Sequence, residues 1–274
     1  MKPRRDIRSV YDHLCRIAPP SLAEEWDSVG LQVGNLSDTL QGILVSLDVT
    51  ETALWETVEH DCNLLITHHP LFLKPLRRLD DAIPASRCAR LAAQTGVHVL
   101  SFHTNLDSTP RGLNDQLAER LGLQGLKPLF PSRDRRWPKA GLGRVGTVAK
   151  TTLARLLEKI GQRLRLKNLR FVGDLRHPIR KVAVMTGSGG SSFVEAKACG
   201  ADCLITGDVK YHQALDALAA CIALIDIGHF AGEIGMVPWL AENLRRFART
   251  KRWRIKVLES RLSSDPFQFW SGRK

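Results

Sequence analysis

No stretch of this 274-residue chain comes near the ~20 consecutive apolar residues that a membrane-spanning helix needs. A helical membrane protein is therefore excluded, and no membrane partner is expected. The basic opening from Met1 to Val10 leads into no apolar signal core, so a cytoplasmic location is expected. None of the six cysteines (Cys15, Cys62, Cys88, Cys199, Cys203, Cys221) forms a CxxC pair. They read as small buried hydrophobes of a reducing compartment, not as a disulfide framework. Acidic residues are scarce: 28 Asp and Glu stand against 40 Lys and Arg, a formal charge of +12. Such a surplus permits nucleic acid, anionic lipid or phosphorylated substrates as partners without proving any of them.

What is present is an ordinary globular composition, 43% hydrophobic and 25% charged, long enough for one large domain or two of about 130 residues. Strand-like and helix-like segments alternate. Gly42–Val49 is an apolar, β-branched run with the look of a buried strand, and Thr50 is placed to cap a helix that follows. Strands are expected over 63–67, 97–102, 145–149, 169–172, 182–185, 203–206, 222–227 and 255–258. Helices are expected over 85–94, 152–164, 193–198, 211–220 and 233–248. Pro128, Pro131 and Pro138 punctuate a polar stretch that suggests a boundary. Residues 1–126 with 231–274 are thus expected to form a first α/β lobe, and 127–230 a second.

The sequence echoes itself. Leu65-Ile66-Thr67-His68-His69 reads beside Leu204-Ile205-Thr206-Gly207-Asp208. In each half the next strand ends in a histidine with an acid four residues on, His103 with Asp107 and His229 with Glu233. Two matches in the same order point to duplicated three-layer α/β repeats forming two intertwined lobes.

In open α/β sheets, functional groups gather beyond the carboxyl ends of strands. Four strand ends carry polar groups here: His68 and His69; His103 and Asp107; Asp208; His229 and Glu233. Imidazole and carboxylate are the ligand types of first-row divalent metals such as Zn, Fe, Mn, Co and Ni. Adjacent histidines on a strand point to opposite faces. A turn at Pro70 would instead bring His68 and His69 to one cavity. A carboxylate such as Glu233 has an oxygen for each of two ions. Thr186-Gly-Ser-Gly-Gly190, between a strand and a helix, offers backbone amides to an anion, although it matches neither a P-loop nor GxGxxG. Trp26–Gly34 (WDSVGLQVG) reads as a structured loop or an edge hairpin.

With WDSVGLQVG (26–34), ITHHPLF (66–72), FHTNLD (102–107), GSGG (187–190), TGDVKYH (206–212) and DIGHFAGE (226–233), the chain resembles the Nif-three-like dinuclear-metal family, the type 2 GTP cyclohydrolase I homologues. The resemblance implies two divalent metal ions per chain, held by His68, His69, Asp107, His229 and Glu233, with Glu233 bridging. It places His103 close to the metals, as a proton carrier or supplementary ligand. It also implies a ring-shaped homohexamer, a trimer of dimers. Departures at Ser28 and at Met185-Thr186 touch substrate contacts, not the ligand set.

The function expected on this basis is a metal-dependent hydrolase. Water activated by two ions would open a ring, as a GTP cyclohydrolase does, or cleave a nucleotide or phosphorylated small molecule, with His103 or Asp208 moving protons. The alternatives are a ring-shaped binding protein for nucleic acid or a protein partner, without turnover, and a metal-delivery protein. The charge has an address. Residues 127–181 hold 16 Lys and Arg against 3 Asp and Glu, leaving 24 and 25 elsewhere. None of the five ligands lies in that segment, which is the expected contact for any nucleic acid.

Overall fold

The computed structural model describes residues 5–270, so the first four residues of the basic opening lie outside the described residues. Two compact units make up the chain, Met1–Leu106 with Met236–Ser263, and Asp107–Gly235 with Ser264–Lys274.

The first unit begins with helix α1 (Ile7–Ile17), whose N-cap Asp6 accepts a hydrogen bond from Ser9 N. Strand β1 (Gly30–Val33), β2 (Gly42–Ser46), helix α2 (Glu51–Glu59), β3 (Leu64–Thr67), α3 (Pro84–Thr95) and β4 (His98–Ser101) follow, and the short α4 (Thr104–Ser108) includes the division at Leu106/Asp107. The chain returns later with α10 (Met236–Thr250) and β11 (Lys256–Glu259). Thr50 caps α2 through its side chain, as its place before the helix predicts. The sheet order is β1-β4-β3-β2-β11, parallel except for the antiparallel edge strand β1. Every residue of β2, β3 and β4 is buried, the mark of a parallel sheet covered on both faces. Leu44, Leu65 and Val99 pack on one side against Ala53 and Leu54 of α2 and Ala89 and Ala92 of α3.

The second unit contains α5 (Leu113–Leu121), β5 (Gln124–Pro131), β6 (Gly141–Thr152), α6 (Leu153–Leu164), β7 (Arg170–Val172), β8 (Pro178–Ser188), α7 (Phe193–Ala198), β9 (Cys203–Gly207), α8 (Tyr211–Ala219), β10 (Ala223–Asp226) and α9 (His229–Glu233). Its sheet runs β5-β6-β8-β9-β10-β7. Helices α5 and α6 pack on one face, over Val182, Val184, Ile205 and Ile225. The opposite face, with Ala183, Leu204 and Leu224, carries Ala196 of α7 and Ala217 of α8. This is an α/β/α sandwich.

The repeat is visible in the strand order. One sheet contains β1-β4-β3-β2 and the other β7-β10-β9-β8, each an antiparallel edge strand followed by three parallel strands. The units diverge beyond that, where β11 is parallel to β2 but β6 is antiparallel to β8.

The division between the units differs from the expected one at 126/127 and 230/231. It falls at Leu106/Asp107 and Gly235/Met236. Leu117, Ala118, Leu121 and Leu123 share the core of α6 and therefore belong to the second unit. The prolines that suggested a boundary lie in and just after β5. An edge strand tolerates proline because only one side of it must donate to the ladder. The cysteines are all free, but Cys199 and Cys221 are exposed, contrary to expectation. Among the described residues no helix is long and apolar enough to cross a membrane.

Candidate metal centre

In the first unit, β3 ends at Thr67 and the chain leaves the strand at once. The amides of His68 and His69 both donate to Leu47 O, at 3.2 and 3.0 Å. The strand alternation that would separate the two rings therefore stops, and their centroids lie 5.0 Å apart. His103, just beyond β4, lies 5.1 Å from the His68 ring and 5.6 Å from the His69 ring. The three residues can each offer one ligand atom within 4.8 Å of the others.

Each of these rings has its Nδ1 engaged. His68 Nδ1 lies 3.0 Å from Phe102 O, a carbonyl that only accepts, so that nitrogen carries the hydrogen. His69 Nδ1 is 2.7 Å from Asp48 Oδ1. His103 Nδ1 is 2.9 Å from Asp27 Oδ1. In all three the atom left to face a metal is then Nε2, and an outer partner fixes both tautomer and ring orientation. Asp27 comes from the loop that precedes β1, and its side chain is fully buried. Burial would raise its pKa, but hydrogen bonds from His103 and from Thr104 outweigh that and hold it at about 2. Trp26 stands edge-on to His103 at 5.9 Å.

In the second unit, α9 places His229 and Glu233 one helical turn apart, on one face. His229 Nε2 is 3.0 Å from Glu233 Oε2. His229 Nδ1 is 2.7 Å from Asp208 Oδ2, which repeats the pattern of the first unit. Asp208 itself holds a left-handed backbone (φ 54°) just past β9. Asp107 is buried, and one of its oxygens accepts from Thr186 Oγ1 at 3.1 Å. Asn114 ties the same place together: its Nδ2 donates to Asp107 O and its Oδ1 accepts from Thr186 N.

One glycine of the run at the end of β8 lies against Glu233. Gly187 has φ +66°, and a Cβ there would stand 2.5 Å from Glu233 Oε1. The absent side chain makes room for the Glu233 carboxylate.

Sequence reasoning named all the histidines and carboxylates of these clusters, but it missed Asp48 and gave Asp27 and Thr186 no role. Asp48 lies just past the end of β2 at Ser46, the same strand-end position that singled out His68. His212, the last residue of the TGDVKYH motif, sits on α8 and, among the described residues, belongs to no such cluster. Imidazole nitrogens with carboxylate oxygens form a donor set that fits a first-row divalent ion better than Mg or Ca, which favour oxygen alone.

The fold and these clusters define a duplicated α/β protein with histidine–carboxylate groups able to hold metal. The family described as Duf34/NIF3 (NGG1p interacting factor 3) matches residues 5–266, and the chain belongs to it. A Clostridium acetobutylicum protein named GTP cyclohydrolase 1 type 2 homolog is 35% identical over 93% of this chain and 97% of its own length. A crystal structure of a Staphylococcus aureus hypothetical protein superposes with a TM-score of 0.89 at 29% identity, covering 98% of this chain and all of that one. The Bacillus cereus protein related to NIF3 shares the fold, with a TM-score of 0.91 at 24% identity over 98% of this chain and 100% of its own.

Proposed function

We propose that this protein is a dinuclear-metal hydrolase acting on a nucleotide or another phosphorylated small molecule, with His68, His69, Asp107, His229 and Glu233 as ligands. The observation that carries the reading is the shared treatment of four imidazoles. His68, His69, His103 and His229 each have Nδ1 bound by a carbonyl or carboxylate, so each offers Nε2. Histidines that serve only packing have no need of such uniform outer partners. When bound, two divalent ions would lower the pKa of a shared water and polarise the electrophile.

The remaining steps belong to the chain. His103, with Nδ1–H held by Asp27, is poised to take or return a proton at Nε2. Asp208 lies at the outer nitrogen of His229 and orients that ring, so proton movement falls to His103. Thr186 and Asn114 hold the Asp107 carboxylate in place. Ring opening of GTP, which the names of the relatives suggest, is the first reaction to try. We further propose a cytoplasmic homohexamer, to be checked by light scattering after size exclusion.

The test is anaerobic purification, metal analysis and turnover on GTP and a nucleotide panel. The expected result is about two divalent ions per chain, lost in a His68→Ala, Glu233→Ala double variant. Fewer than about one ion per two chains, unchanged in that variant, would sink the dinuclear reading.

A further inference from the structure

The positive charge concentrated in residues 127–181 has an arrangement as well as a size. Four of its arginines are engaged with carboxylates: Arg136 with Asp134, Arg144 with Asp115, Arg170 with Asp226 and Arg176 with Asp174. Three of the other twelve basic residues lie along α6. Arg155, Lys159 and Arg163 recur at every fourth residue, so they form one stripe with a cation about every 6 Å. Among the described residues, none of the three forms an ion pair with a carboxylate, and neither does Arg165 just past the helix.

These cations are gathered and held. Arg120, at the end of α5, donates through Nε and Nη2 to Arg163 O at 3.1 and 2.9 Å. Arg163 Nη1 returns a bond to Arg120 O at 2.7 Å. Each guanidinium thus satisfies a last-turn carbonyl of the other helix, which fixes both side chains. Gly122 follows α5 in a left-handed conformation. A Cβ on it would lie 2.7 Å from Arg163 Nη1 and 3.3 Å from Lys159 Nζ. Two cations therefore converge on a spot kept open by a missing side chain. The helix caps account for Arg120 and Arg163 but not for Arg155 and Lys159 beside them, and among the described residues no carboxylate pairs with either.

We infer that this face of α6 is a docking surface for the phosphate backbone of a nucleic acid, separate from the metal-ligating residues. The surface offers donors and charge, which suit phosphate contacts and positioning without sequence readout. A membrane fits it poorly. The apolar residues Leu153, Leu156, Ile160 and Leu164 all face the core, so the stripe has no apolar side to insert. The inference stands whether or not bound ions turn over a substrate.

Fluorescence anisotropy of the full chain with labelled 20-mer duplex and single strands, at about 50 and about 200 mM salt, tests it. Binding should fall steeply and linearly in log–log form. An Arg155→Gln, Lys159→Gln double variant, which leaves the Arg120–Arg163 caps intact, should bind about tenfold more weakly at low salt. Its salt slope on duplex should be shallower by about 2. An Arg133→Gln, Arg135→Gln control elsewhere in the basic segment should match the wild type. No binding at about 50 mM salt overturns the inference, as does equal weakening in both double variants. Attachment to phosphatidylserine vesicles in place of nucleic acid overturns it too.

Discussion

Gly187 and Glu233 share one space: the carboxylate oxygen Oε1 occupies the region where a side chain on residue 187 would begin, 2.5 Å from the ideal Cβ. Gly187→Ala should therefore act on the candidate metal cluster first. Its left-handed φ adds a backbone cost of about 1 kcal/mol, a drop of a few degrees in Tm. The displaced carboxylate should weaken zinc binding about tenfold or more. Calorimetric titration of metal-stripped protein measures this, and unchanged affinity in a folded variant would separate Gly187 from the site.

Asp48 and Asp208 make equivalent 2.7 Å contacts to the outer nitrogens of His69 and His229. Their side chains are about half exposed, so as ion pairs they contribute little to stability, at most about 1 kcal/mol. Asp48→Asn and Asp208→Asn should leave urea unfolding of the stripped protein nearly unchanged. Each should reduce metal affinity about 10- to 100-fold. The opposite result, lost stability with full affinity, would make the carboxylates structural.

Much of this was legible in the sequence. Apolar β-branched runs marked β2, β3 and β9, since strands buried on both faces need them along their whole length. Thr50 announced α2 because capping is local chemistry. The repeat was readable in Thr67-His68-His69 and Thr206-Gly207-Asp208, and the strand order bears it out. What failed depended on tertiary partners. The Pro128–Pro138 stretch looked like a linker because a proline gives the same local signal in an edge strand as in a loop. The outer partners of the histidines were invisible because Asp27 reaches His103 across 76 residues of sequence. Of the two readings for His68 and His69, opposite faces or a turn that brings them together, the second holds, because β3 stops at Thr67 and the rings lie 5.0 Å apart.

His13 offers a test of pH dependence outside the candidate metal centre. Its ring stacks on Phe247 at 4.0 Å and 10°. Burial, reinforced by the charges of Arg16 and Lys251, lowers its pKa to about 4. The unfolded chain binds the proton near pH 6.5 and the folded one does not. Stability from this group is thus complete above about pH 6.5 and is lost as pH falls towards about 4. The loss should be on the order of 2 kcal/mol, allowing for partial exposure. His13→Phe keeps the stack and should flatten that part of a urea-stability profile.

Arg144 is almost fully buried and makes a two-pronged contact with Asp115 at 2.7 Å, with further bonds to Gly141 O, Gly143 O and Thr109 O. Asp115→Ala leaves that guanidinium buried without its counter-charge. A destabilisation of about 3 kcal/mol or more is expected in denaturant titration. The double variant Arg144→Leu, Asp115→Leu should recover a substantial part of it. No recovery would mean that the three carbonyl bonds, and not the charge pair, are what the site depends on.

Strand β5 forms one open flank of the second sheet, and it carries Lys127, Pro128 and Pro131. Each proline lacks an amide hydrogen, and a lysine resists being sealed between chains. A foreign strand laid along this flank would meet missing donors and an ammonium group. The residues that break the sequence pattern at this point thus make β5 a poor template for a further strand.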